Sequence, residues 1–394
     1  MMLSYNRQTQ TMQLVFRHRE QKVMRIKAML ITHHLPEESV PWMAGVRDTF
    51  DGLVVFIDEN RVTPGTVMRA EQVATRVYHY KAETWYDWDL AGMARACESD
   101  WVFIIDYDEQ LSPEWRQDSW RELLKETHFT HFSCPRRWIV PSGDYITAAP
   151  WWPDFQLRLF RNNLKETAFP QNLHDLIQVP GPGASFQNLA IHHHVLSLLS
   201  RPTREQKVRH YEKLRPGEAL SHYYLYEDYS PPTASLPPPA KLDAATEVGS
   251  METLEPEKVS DISIEINRVP QAVRISEFFW LEAKVINATD KPLSALPPFP
   301  LRLAYHWIDK VTGRMVVFDG ERSGLFPGVP ANASREYRMS IVAPNQPGKY
   351  VLQTTVVQDG VRWLDQVEPK ILHEFDLTVI ATANNPRPVS TVTV

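Results

Sequence analysis

Six prolines between Tyr229 and Asp261 divide this 394-residue chain more sharply than any other feature. The run "YSPPTASLPPPAKLDAATEVGSMETLEPEKVSD" holds few large apolar residues and no periodicity, so it has no face to bury. It reads as an extended linker over residues 229–260, between a domain at 1–228 and a second at 261–394. Two units are also what the length asks for, because single hydrophobic cores stop growing near about 250–300 residues.

The two sides differ in period. Before the linker, apolar runs alternate with amphipathic ones. "RIKAMLIT", "GLVVFID", "VYHYKAE" and "WVFIID" read as strands, with helices predicted through "PEESVPWMAGVRDTF", near "TVMRAEQVATR" and in "WDLAGMARACES". Such strand–helix alternation, with strands apolar on both faces, predicts an α/β domain around a mostly parallel, covered sheet. Ligands of such sheets sit outside the carboxyl ends of the strands, where Asp58 and Asp106 fall. After the linker, "FFWLEAKVIN", "LRLAYHWID", "REYRMSIVAP" and "KYVLQTTVVQDG" alternate apolar and polar residues. About seven short strands are expected there, forming an all-β immunoglobulin-like sandwich.

The fourth strand ends in "DYDE", where Asp106, Asp108 and Glu109 would repel one another unless solvated or neutralised by a cation. At a strand end the chain turns, so Asp106 and Asp108 can converge on one hard cation. Mg²⁺ or Mn²⁺ prefers such oxygen ligands and keeps positions open for phosphate oxygens. The plainer alternative is a solvated acidic loop.

The order of Asp58, the helix "AGMARACESDW" and "VFIIDYDEQLSPE" resembles bacterial family 2 glycosyltransferases of the GT-A fold. Downstream, "WWPDFQLRLFRN", "NLHDLI", "AIHHHV" and "SRPTREQKVRHYEKLRPGE" resemble the acceptor-side segment of enzymes that build lipopolysaccharide cores. The resemblance spans roughly residues 25–220. It implies a Rossmann-like nucleotide-diphospho-sugar transferase: a metal-dependent, inverting enzyme moving a sugar to a glycan, lipid-linked or other hydroxyl acceptor. By the same resemblance Thr32, Asp58, Arg95, Asp106 and Arg158 contact the donor, and Asp106, Asp108 and His194 hold the metal. Inversion needs one general base. The "LHD" segment puts Asp175 there, with Asp154 as rival and His174 beside Asp175. Arg161, three residues after Arg158, also suits an anion, and His192 and His194 share a strand face. Two departures fall on the nucleotide side. "IDENRVTPGT" replaces the usual Asp-Ser/Gly-x-Ser-x-Asp, and His33-His34 replaces Asn-Glu.

The sandwich resembles an accessory immunoglobulin-like domain of bacterial glycan-assembly proteins, marked by Trp307, Asp319-Gly320, Pro344, "PGKYVL" and Trp363. Both tryptophans are expected in its core. Two other readings stand beside the transferase: a non-catalytic glycan-binding scaffold, and a sugar nucleotidyltransferase.

The rest of the composition narrows the setting. A net charge of −6 argues against a broad nucleic-acid-binding surface. Two cysteines, Cys97 and Cys134, exclude a disulfide scaffold and fit a reducing compartment. No apolar run has the length of a signal peptide or a membrane span, so the expected location is cytoplasmic, with peripheral membrane contact left open. The sequons at Asn287 and Asn332 are read as chance.

Overall fold

The computed structural model describes residues 23–83, 89–162, 165, 167–169, 177–214, 221–242 and 248–381, and the backbone of two paired strands, Met2–Tyr5 and Met12–Val15. The first domain follows the alternation of the sequence closely. Strand β1 (Ile26–Thr32) leads through helix α1 (Val40–Thr49) to β2 (Leu53–Asp58), and α2 (Thr66–Val73) leads to β3 (Arg76–Tyr80). Helix α3 (Leu90–Ala96), capped where the Asp89 side chain accepts from the Gly92 amide, leads to β4 (Trp101–Ile104). All six residues of β2 are buried, which is why its sequence is continuously apolar rather than alternating.

The chain continues through β5 (Glu109–Leu111), α4 (Ser119–Glu126), β6 (His131–Trp138), β7 (Asp154–Arg161), β8 (Gly183–Phe186) and β9 (Ile191–His193). Helix α5 (Arg201–Leu214) closes the domain, and β10 (Val248–Gly249) follows. The ten-stranded mixed sheet has the order β10-β8-β6-β7-β4-β1-β2-β3, with β9 pairing both β5 and β6. Strands β3, β2, β1 and β4 are mutually parallel. The order of connection reverses between β1 and β4, the position where sheets of this kind typically form a ligand crevice at the carboxyl ends of the strands.

That topology assembles the site. Strand β7 runs antiparallel to both β4 and β6, so its first residues lie at the end where β4 and β6 finish. Strand β9 is parallel to β6, and its last residue His193 pairs with Glu109 of β5. Residues from β4, β5, β6, β7 and β9 thus meet at one end of the sheet.

The second domain is a two-layer sandwich. One sheet has the order β11 (Ile262–Asn267), β13 (Phe278–Asn287), β17 (Ala333–Val342). The other is built from β12 (Ala272–Arg274), β20 (His373–Ile380), β18 (Gly348–Gln358), β14 (Leu301–Asp309) and β15 (Met315–Val317). To it are added β16 (Ser323–Gly324) and β19 (Arg362–Trp363). Leu281 and Ile341 of one sheet share a core with Tyr305, Trp307 and Leu352 of the other. Among the described residues the sandwich has ten strands where about seven were expected; β12, β15, β16 and β19 are two- or three-residue pieces too short to show a period, and the other six are the longer strands. Asn287 of the first sequon is buried, its side chain donating to the carbonyls of Lys291, Val329 and Pro330, so it is a packing residue.

The proline-rich segment is extended, as its composition requires, but it is pinned down rather than loose. Thr233–Ala234 pairs with Tyr145–Ile146, and the Ala240 amide donates to Glu114. Strand β10 extends the first domain's sheet beside β8, and the Leu254 amide donates to Gln358 of the sandwich. Aromatic contacts join the domains directly: Phe278 lies 5.9 Å from Trp151 and 5.5 Å from Tyr229, and Phe326 lies 5.8 Å from Trp152 and 5.5 Å from Phe155. Cys97 and Cys134 are free, buried thiols. No helix among the described residues is long and apolar enough to cross a membrane.

Candidate functional site

The acidic turn after β4 is neutralised by arginines. Asp106, with a side chain 51% exposed, accepts from Arg158 Nη2 at 2.9 Å. Glu109 turns the other way, is fully buried, and meets the same Nη2 at 2.5 Å and Arg136 Nη1 at 3.5 Å. Its second oxygen accepts from the Asp106 amide at 3.1 Å, which fixes the turn. Burial pushes the Glu109 carboxyl up to about 7, against the pull of Arg158 and Arg136. Both arginines are themselves largely buried, and Arg158 Nε has no hydrogen-bond partner among the described residues.

Asp108 points elsewhere. It is buried, with His193 Nε2 at 3.5 Å, and its carbonyl accepts from the His194 amide at 2.7 Å. Burial opposes its charge, yet His193, Lys207 and Arg136 hold it far below the usual carboxylate range. His193 is pushed down by burial and by Arg136, against the opposing pull of Asp108. Lys207 projects from α5 with Nζ 4.9 Å from the Tyr224 ring and 5.7 Å from the Tyr211 ring. His194 Nε2 lies 3.1 Å from Gln110 Oε1 and its ring stacks on Trp42 at 4.2 Å. The side chains of Asp106, Asp108 and His194 therefore have three separate sets of partners. Among the described residues no group of three or more His, Cys, Asp or Glu is arranged to hold a metal ion.

Asp154 opens β7 with both oxygens engaged. Oδ2 accepts from Arg136 and from the Trp138 indole, both at 2.8 Å, and Oδ1 accepts from Gln156 at 2.7 Å. Burial raises its pKa, but Arg136, Gln156 and Trp138 together hold it below the normal range. A carboxylate so held is a weak proton acceptor. Asp175 and His174 lie outside the described residues.

On the other side of the crevice, Asp58 is buried at the end of β2, bound to Arg61 at 2.5 Å and to the amides of Asn60 and Ala82. Thr32 ends β1 with its hydroxyl donating to the His34 carbonyl. His34 meets the Tyr107 ring edge-on at 5.4 Å, joining the β1 and β4 ends across the crevice. Arg95 is exposed on α3 and has no ion pair among the described residues, so it stands apart from the arginine–carboxylate network. Arg161 donates to the carbonyls of Phe129 and Thr127 and is a structural clamp.

Sequence reasoning located Asp106, Asp108, Glu109 and Arg158 but not Arg136, Trp138 or Lys207. The signal for Arg136 was "CPRRW", two arginines inside an otherwise apolar strand, which demands a buried counter-charge.

No protein-family model matches the chain. Among solved structures it is similar to a β-glucosidase from Listeria innocua in complex with isofagomine, at 10% identity and TM-score 0.22 over 31% of this chain and 16% of that one. It is also similar to the Pseudomonas fluorescens alkylpurine DNA glycosylase AlkC bound to DNA containing an abasic site analog, at 16% identity and TM-score 0.20 over 31% of each chain. A β-glucosidase from Erythrobacter marinus matches at 11% identity and TM-score 0.20 over 30% of this chain and 15% of that one. The chain thus matches less than a third of the length of each of these proteins.

Proposed function

We propose that the chain is a metal-dependent inverting glycosyltransferase of GT-A type, moving a sugar from a nucleotide-diphosphate donor to a hydroxyl acceptor. The observation that carries this reading is Asp106: a half-exposed carboxylate at the carboxyl end of β4, beside the β1–β4 reversal, held in place by buried Arg158 and Glu109. Mg²⁺ typically uses one or two carboxylates and completes its shell with substrate phosphates and water, so a three-ligand protein cage is not needed. Asp106 would supply that carboxylate; Asp108, buried against His193, would keep the turn in shape. The cation, when bound, neutralises charge on the leaving diphosphate.

The chain's own groups account for the remaining tasks. Arg158, with its unpartnered Nε, orients Asp106 and adds positive charge beside the diphosphate. Thr32 and Asp58 border the crevice on the nucleotide side. With Asp154 fully engaged, the general base falls to Asp175, the position named by resemblance. A second reading, a non-catalytic glycan-binding protein, is favoured by the internal neutralisation of Glu109, Asp108 and Asp154.

Thermal shift with a panel of nucleoside diphosphates separates the two, since a ligand of the folded state raises Tm. The transferase reading expects a rise of several degrees that requires Mn²⁺ and is lost in Asp106→Asn. No metal-dependent rise with any nucleotide refutes it.

A further inference from the structure

A wide opening lies between the domains, apart from Asp106. It encloses about 1580 Å³ and is lined from the first domain by Asp154, Phe155 and Tyr223, and from the sandwich by Arg302, Met315 and Arg322. Single small molecules fill clefts of about 300–1,000 Å³, so this one suits an extended ligand.

Several of its charged side chains are held in ion pairs. Arg302 holds Asp359 at 2.6 Å, and Arg322 bridges Asp359 at 2.5 Å and Asp319 at 2.6 Å. Asp154 is held by Arg136. The lining holds five acids (Asp154, Asp309, Asp319, Glu321, Asp359) against three arginines (Arg302, Arg314, Arg322), so a polyanion is disfavoured there. What these locked, planar pairs do offer is preorganised acceptors and donors for neutral hydroxyl groups.

At the rim stands an aromatic platform outside the core. Phe318, 58% exposed, stacks on His306 at 5.2 Å and lies 5.5 Å from half-buried Trp363. The Arg322 guanidinium, which also lines the cleft, sits 5.5 Å from the Trp363 ring, so platform and cleft are continuous. Met315 and Val316, close to Phe318 in the chain, are also exposed, so the ring belongs to an apolar patch rather than standing alone. Flat apolar faces alternating with fixed hydrogen-bonding pairs match one chemistry well: a pyranose ring, with a C–H face and an equatorial belt of hydroxyls.

We propose that the inter-domain cleft and the Phe318–Trp363 platform form one binding site for an extended, uncharged oligosaccharide. The site's role as the acceptor site rests on the transferase reading above; the binding itself does not. Asp154, on the cleft wall, is tied through Arg136 and Glu109 to Arg158 and Asp106 by largely buried ion pairs.

Saturation-transfer NMR on the full chain tests this with maltohexaose, cellohexaose, laminarihexaose and chitohexaose, and with hexagalacturonate as the charged control. At least one neutral hexamer is expected to bind, at least tenfold more weakly after Phe318→Ala and after Arg322→Met, with folding of each variant checked by melting. Asp106→Asn is expected to keep saccharide binding while losing nucleotide binding, so failure of the transferase reading leaves a distinct signature. The proposal is overturned if no neutral hexamer binds, if only hexagalacturonate binds, or if Phe318→Ala binds like the parent. Loss of self-association in Phe318→Ala, measured by light scattering and without any saccharide signal, overturns it in favour of a second copy of the chain.

Discussion

Replacing Arg158 with Met removes the charge from the centre of the carboxylate cluster while keeping most of its volume. Glu109, fully buried, then retains only Arg136 at 3.5 Å, and Asp106 loses its 2.9 Å partner. Unit charges about 4 Å apart interact by about 4 kcal/mol at an effective dielectric near 20, and orphaning one member of a buried pair costs about 3–5 kcal/mol. Arg158→Met should therefore destabilise the first domain by about 3–5 kcal/mol, and Glu109→Gln in the same chain should restore about 2 kcal/mol or more. The pH dependence has a definite sign. Burial raises the Glu109 carboxyl from 4.5 to about 7, so the folded state binds a proton that the unfolded state has lost. The group's contribution to stability falls as pH rises through that window, by about 1.4 kcal/mol per unit. Without Arg158 the folded pKa rises further, so the gap between variant and parent should widen between pH 7 and 9. Urea unfolding followed by fluorescence and circular dichroism reads both effects. A loss under about 1 kcal/mol, an additive double mutant or a pH-independent gap would refute the assignment of Arg158 as the main counter-charge.

Two further outcomes follow from burial. His192 is buried, its Nε2 has no hydrogen-bond partner among the described residues, and it is pushed down to about 3 by burial, Arg137 and His194. Below pH 6.5 the unfolded chain protonates this ring and the folded one does not, a penalty that grows as pH falls and that His192→Leu removes. The variant should therefore gain on the parent by about 2–3 kcal/mol between pH 6.5 and 4.5, and an unchanged difference in urea midpoints would sink this account. Trp307 is fully buried with its indole donating to the Val342 carbonyl at 2.9 Å, so Trp307→Ala should cost about 3–5 kcal/mol in thermal unfolding. An equal effect from Trp363→Ala, at a half-buried rim position, would contradict the placement of the two rings.

Strands β1, β2 and β4 were legible because short, continuously apolar runs set between amphipathic segments are typical of covered strands, and each ends within a few residues of its expected place. The acids of the turn were legible too. Arg158 was legible as an anion-binding residue, but neither it nor Arg136 was legible as their counter-ion, because these arginines arrive from strands 49 and 27 residues beyond Glu109 through pairings that no local period encodes. Trp363 was expected beside Trp307 in the core; it sits instead on the two-residue strand β19, whose register is set only by pairing with β18. The connector's role was invisible for the same reason, since Val248 and Gly249 form a strand only where Ser185 and Phe186 offer an edge.

That short strand bears on how the protein can be divided. Cutting the chain at residue 228 would look safe from composition, but it would strip β10 from β8 and remove the segment that caps Glu114 and Gln117. A bare backbone edge of this kind pairs readily with other chains. The smallest piece that can be expressed without a sticky flank therefore ends beyond Gly249, inside the stretch that by its prolines looked dispensable.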